Sequence, residues 1–201
     1  MLEELDETAE QILDAAGKRF IHYGYGKTTM SEIANDCNMS TGNLYRYFPS
    51  KMDIAEAFAS RVRRTHLKEL TQIAEDRDRS PSGKLREFLQ TKLRLSYELY
   101  HGNPRIYEMS QVIVIERPEM IDEWAGREGH VLAHILEEGD KAGVFKIEDS
   151  ALMAKVIQDA AFRFSTSNIY YAEDIEQLQL ELDIIVDLLL DANMYRVQQA
   201  K

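Results

Sequence analysis

The stretch TGNLYRYFPSK, residues 41–51, gathers two tyrosines, an arginine, an asparagine and a lysine around Leu44 and Phe48. These side chains are suited to nucleic acid: Arg pairs bidentately with guanine and Asn with adenine, while Tyr and Lys donate to phosphate oxygens. Leu44 and Phe48 are four apart, so on a helix they share a buried face and leave Thr41, Gly42, Asn43, Tyr45, Arg46 and Tyr47 for a groove or its phosphates. Arg46 and Asn43 are the base-reading candidates, and Gly42 permits close backbone approach. Tyr45, Tyr47 and Lys51 fit phosphate contacts, Lys51 from the N-terminal end of the next helix. For Tyr45 a position packed between helices is equally open.

Such a stretch sits oddly in a chain of 201 residues with a net charge of -11, because phosphate binding depends on clustered Lys and Arg. The charge is unevenly spread. Between Gly17 and Lys68 nine basic residues face four acidic ones, a net +5 that leaves -16 for the remainder. That asymmetry separates a DNA-reading head from an acidic body with other work.

The elements that must position these residues announce themselves locally. Hydrophobic content of 44% supports a core, and only 4 Pro and 10 Gly favour an all-α chain. Ile12, Leu13, Ala16, Phe20 and Ile21 recur at helical spacing, which predicts a first helix over 7–23 that ends at Gly24 and Gly26. Thr29 and Glu32 form a T-x-x-E capping box that starts a short helix through Ile33, Ala34 and Cys37. Asn38 can adopt the left-handed conformation that stops it. Ser40 caps a second short helix over 41–48, Pro49 ends it, and Ser50 with Asp53 starts a long one. Helices are expected beyond the EDRDRSPSG break at about 82–101, 104–115, 118–141, 148–171 and 174–197.

Helix, tight turn and helix, with small Ala34 at the crossing, is the layout of a helix-turn-helix. The run KTTMSEIANDCNMSTGNLYRYFPSKMDIAEAF resembles the DNA-binding head of the TetR family of bacterial transcriptional regulators, over roughly residues 8 to 60. Asn38 departs from the glycine usual at that turn. The resemblance implies a three-helix head at 1–52, joined by a long helix to a larger helical effector-binding and dimerisation domain at 53–201. It further implies that Thr29 and Thr41 contact the DNA backbone, and that a small-molecule effector among the middle helices shifts the long helix to release a double-stranded operator. A homodimeric repressor follows, with an activator using the same head as the alternative.

In the body, Phe88, Tyr97, Met109, Val112, Trp124, Leu132 and Phe162 are candidates to line an effector pocket, although each equally suits an ordinary core. Near the end of the chain Ile175, Leu178, Leu182, Ile185, Leu188 and Leu189 form one apolar stripe, and Leu180, Ile184, Val186 and Leu190 widen it past what a single core face needs. With Met153, Val156, Ile157, Ala160, Ala161 and Phe164 on the preceding helix, this predicts a homodimer through the last two helices.

Other chemistries have less support. His130, His134 and Glu137 share a helical face and are weak metal-ligand candidates, but HVLAH lacks the Glu of H-E-x-x-H. Glu98 and His101 form one E-x-x-H where helical di-iron sites use two. A helical metal-binding enzyme is therefore a distant alternative, no cofactor is expected, and the chain is read as a non-enzyme. Basic residues on the reading helix also argue against a head turned to protein binding. Single Cys37, an acidic N-terminal segment and the lack of a long apolar run lead to the expectation of a cytoplasmic protein away from membranes.

Overall fold

The computed structural model describes residues 6–164, 169 and 174–191. Among them are nine α-helices and no strand: α1 (Glu7–Tyr23), α2 (Met30–Asp36), α3 (Thr41–Tyr47), α4 (Lys51–Glu75), α5 (Pro81–Tyr100), α6 (Pro104–Glu116), α7 (Pro118–Lys141), α8 (Ser150–Ala160) and α9 (Ile175–Asp191), with a 3-10 turn at Phe162–Phe164 between the last two. The all-α architecture is as the sequence predicts, with a helix-turn-helix head followed by a larger helical portion. No helix of the described residues is long and apolar enough to cross a membrane.

Packing divides the chain into two compact units. One takes in the chain up to Arg64 together with Gly102–Ile121, and the other takes in Thr65–His101 together with the chain from Asp122. The expected boundary at 52/53 falls just inside α4, which runs unbroken from Lys51 to Glu75.

In the first unit Ile12, Leu13, Ala16, Phe20, Ile33, Ala34, Leu44, Ile54 and Ala55 are fully buried. Gly17 is glycine because α4 crosses there: a Cβ would overlap the Phe58 ring, 2.9 Å from its Cδ2. Charge ties the helices at the rim. Arg19 of α1 donates to Asp36 of α2 at 2.5 and 3.0 Å, and Arg61 of α4 reaches Glu10 and Asp14 of α1, each at 2.8 Å. Although α6 follows α5 in the chain, it packs on α1. Arg117 at its C-terminal end bridges to Glu56 at 2.9 Å and Asp53 at 3.3 Å in the first turns of α4.

The second unit is built around Leu70, Leu85, Phe88, Leu93, Leu132, Leu136, Ile157, Leu182 and Val186. One charge lies within it: Lys84, 2% exposed, donates to the Ala74 carbonyl at 2.9 Å and to Glu138 at 2.6 Å, closing the end of α4 against α5 and α7.

Two expectations for the last helices need correcting. The helix expected over 148–171 stops at Ala160, where the Ala161 N–H turns back to Ile157 and the chain tightens to bury Phe164. Phe162, Arg163 and Phe164 follow as the 3-10 turn, with Ala161 and Phe164 buried, and the rest of that expected span, Ile169 apart, lies outside the described residues. On α9 the buried row is Leu178, Leu182 and Val186, steps of four: Leu178 and Leu182 of the expected stripe are in the core and Ile185 and Leu189 pack against it, whereas Val186 is buried in place of the expected Leu188, which is exposed. The expected continuation to 197 lies partly outside the described residues.

Candidate nucleic-acid interface

The reading helix is held by its caps and two anchors. Thr29 caps α2 with both halves of the capping box present: its hydroxyl accepts from the Glu32 N–H at 3.3 Å, and its own N–H donates to the Glu32 carboxylate at 2.9 Å. Asn38 takes φ 53°, the left-handed turn that redirects the chain between α2 and α3. Ser40 then caps α3 through the Asn43 N–H at 3.2 Å. Leu44 at 0% and Phe48 at 6% exposure lock α3 to the head. Ser50 caps α4, accepting from the Asp53 N–H at 3.2 Å and donating to its carboxylate at 2.8 Å.

What remains on α3 faces outward. Arg46 is exposed and makes no hydrogen bond or ion pair with any described residue. Tyr45 is 49% and Tyr47 36% exposed, so of the two positions open to Tyr45 the structure takes the outward one. Thr41 and Asn43 are half-buried, the Asn43 amide lying 4.0 Å from the Met39 sulfur. Gly42 is exposed, and a Cβ there would meet nothing nearer than Ser40 Oγ at 4.0 Å. Packing within the head therefore does not require glycine at that position.

Two residues assigned to the DNA backbone have work inside the head. Lys51 donates to the Tyr25 and Thr28 carbonyls at 2.7 and 2.8 Å and lies 4.3 Å from the Tyr25 ring centroid. Burial lowers its pKa, with the Glu32 charge opposing. Thr29 Oγ1 donates to the Glu32 carboxylate at 2.8 Å, so its hydroxyl proton is committed as well. These partners are 26 and 23 residues from Lys51, and no local pattern marks them. The Arg117 brace, 61 residues from Glu56, is equally without a sequence signal. Cys37 is half-buried, and burial raises its thiol pKa.

The residues suggested for an effector pocket fall in both units. Phe88 and Leu132 are core residues of the second unit, and Tyr97 packs against that core while stacking on His101 at 4.2 Å. Met109 is buried and Val112 half-buried in the first unit. Trp124 is 2% exposed beneath the Arg127 guanidinium, whereas Phe162, expected to line a cavity, is 57% exposed. His130, His134 and Glu137 all lie exposed along α7, and no group of three or more such ligands is placed to hold a metal among the described residues. Glu98 is instead engaged by Arg94.

A capped, anchored α3 with an exposed arginine that has no partner among the described residues and two outward tyrosines defines a helix-turn-helix DNA-binding protein. Residues 12–58 match the family model for bacterial regulatory proteins of the tetR family, and residues 81–186 match the tetracyclin repressor-like C-terminal domain. The chain belongs to the TetR family and is a DNA-binding transcriptional regulator. It is 29% identical over 159 residues to YhgD of Bacillus subtilis, an uncharacterised HTH-type transcriptional regulator, covering 73% of this chain and 76% of that one. Among solved structures, a TetR/AcrR-family regulator from Thermobifida fusca superposes with a TM-score of 0.72 at 21% identity, covering 95% of this chain and 100% of the other. Thermus thermophilus FadR, a TetR-family repressor solved with lauroyl-CoA, superposes with a TM-score of 0.66 at 21% identity, covering 96% and 98%.

Proposed function

We propose that the protein is a homodimeric repressor whose hold on a double-stranded operator is released by a small-molecule effector bound in the body. The observation that carries this reading is Arg46, exposed and unpaired among the described residues on an anchored helix in a chain rich in carboxylates. Arg46 and Asn43 read bases, Gly42 lets the backbone approach, and Thr41, Tyr45 and Tyr47 contact phosphate. Lys51 and Thr29 contribute chiefly by fixing the corners at which α4 and α2 begin. The acidic remainder weakens nonspecific contacts with DNA.

Dimerisation is supported by a second apolar row on α9. Leu180, Ile184 and Leu188, at steps of four, are 57%, 53% and 65% exposed, and Leu152 and Val156 on α8 are 56% and 51% exposed. Two-fold pairing buries such a face against itself and places two α3 helices to meet successive major grooves. Effector control is supported by FadR, whose solved complex holds lauroyl-CoA within the same fold.

Deleting the gene and measuring transcripts beside the sites the protein occupies in vivo tests the direction of control. A repressor predicts that those transcripts rise; a fall assigns the same head to an activator.

A further inference from the structure

Arg64, near the middle of α4, has no part in the DNA interface or the braces of the head. Its Nε is buried without a hydrogen-bond partner, and its guanidinium enters no ion pair among the described residues. Arg63 apart, the other half-buried arginines among the described residues are matched with acids: Arg19 with Asp36, Arg61 with Glu10 and Asp14, Arg86 with Asp183 and Asp187, Arg94 with Glu69 and Glu98, Arg117 with Glu56 and Asp53, Arg127 with Glu123. With 35 acidic residues available, a carboxylate partner for one more arginine would be easily supplied. Arg64 as a whole is half-buried, but an N–H donor of its guanidinium that is buried and left unmatched is costly, and a native structure tolerates it where something else completes the site.

Its placement fits that role. Residues 53, 56, 60, 64 and 67 follow one another by threes and fours, so they lie along one stripe of α4. Asp53 and Glu56 on that stripe are the two residues gripped by Arg117 at the end of α6. Arg64 therefore lies two turns further along the α6 side of the helix whose start fixes α3. Arg63 beside it also makes no ion pair or hydrogen bond with a described residue, which adds a second positive charge.

We infer that Arg64 is an anion-binding residue that anchors the acidic group of the effector, a carboxylate or a phosphate monoester, through its planar fork of N–H donors. The inference deepens the proposed effector control and rests on it. Guanidinium matches both oxyanions in two-point geometry, and the match is strongest where water is excluded. An anion held there neutralises a charge on α4 itself, the helix that begins at Lys51, so occupancy acts on the element carrying the reading helix.

The test uses the full chain in chloride buffer at fixed ionic strength, with octanoate, benzoate and inorganic phosphate as probes and octanol and benzyl alcohol as neutral counterparts. Melting is followed for wild type, Arg64→Met and Arg64→Lys. The expected result is stabilisation of wild type by at least one oxyanion and by neither alcohol, with affinity reduced about tenfold or more in Arg64→Met and partly in Arg64→Lys. The carboxylate and phosphate arms identify the head group. Arg64→Met, free of its uncompensated charge, melts no lower than wild type without probe; should it fail to fold, Arg64→Lys carries the comparison. No oxyanion effect on wild type, or an equal effect on all three proteins, overturns the assignment. Adding the active probe to a DNA complex separates the two claims. Anion binding at Arg64 without DNA release would sink effector control and leave the site, whereas release equally efficient in Arg64→Met would sink the site and leave effector control.

Discussion

Lys51→Met is the substitution that most sharply divides bracing from phosphate binding. The side chain keeps an unbranched apolar stem out to the ε carbon but loses the ammonium that reaches the Tyr25 carbonyl at 2.7 Å and the Thr28 carbonyl at 2.8 Å. Hydrogen bonds from a charged donor contribute about 1.5–3 kcal/mol each, and the cation over the Tyr25 ring adds about 0.5–1 kcal/mol. Two effects offset part of this: the ammonium is itself disfavoured by burial, and in a half-buried site water can reach the freed carbonyls. A net loss of about 2–3 kcal/mol remains, which for a chain of this size lowers the melting temperature by roughly 5–10 °C. Thermal melts by circular dichroism, run beside gel shifts across salt, measure both consequences. A variant that melts within about a degree of wild type and yet loses DNA binding would refute the brace and return Lys51 to the phosphate.

Three further outcomes follow from the packing. Gly17→Ala places a methyl inside the Phe58 ring envelope and is expected to cost about 1–3 kcal/mol in urea unfolding, with a neutral result contradicting the close α1–α4 crossing. Hydrogen bonding from Thr29 holds the Glu32 carboxyl below its usual pKa, and Arg19 does the same for Asp36. Both contribute stability above about pH 4.5 that is lost as pH falls through their lowered folded values, and Thr29→Val should flatten that acid limb of a pH–stability curve. Leu188→Glu puts a charge on the exposed row of α9 and is expected to halve the mass seen by light scattering while sparing helicity; an unchanged mass would place the partner surface elsewhere.

How much could be read from the chain alone follows the range of the interactions. Thr29 with Glu32, Ser40 with Asn43, Asn38 at the turn and Leu44 with Phe48 act within three or four residues, so the helix-turn-helix is written in local pattern. Lys51 and Arg117 find partners through tertiary folding, and neither the two carbonyls nor the paired acids can be picked out by spacing. The same holds on α9, where 3.6-residue periodicity admits two neighbouring stripes and packing against α5 selects the one through Val186. Phe162 looked like pocket lining because aromatic composition cannot distinguish an inward from an outward ring at the end of a helix.

The central claim, that α3 reads a duplex through Arg46, is tested most directly by selecting bound sequences from a random duplex library with wild type and with Arg46→Ala. Wild type is expected to enrich a two-fold symmetric site with half-sites about one helical turn apart. Arg46→Ala should lose about 1–3 kcal/mol on that site and relax one guanine position in each half. Equal enrichment by both proteins, with the same preference at every position, would contradict it.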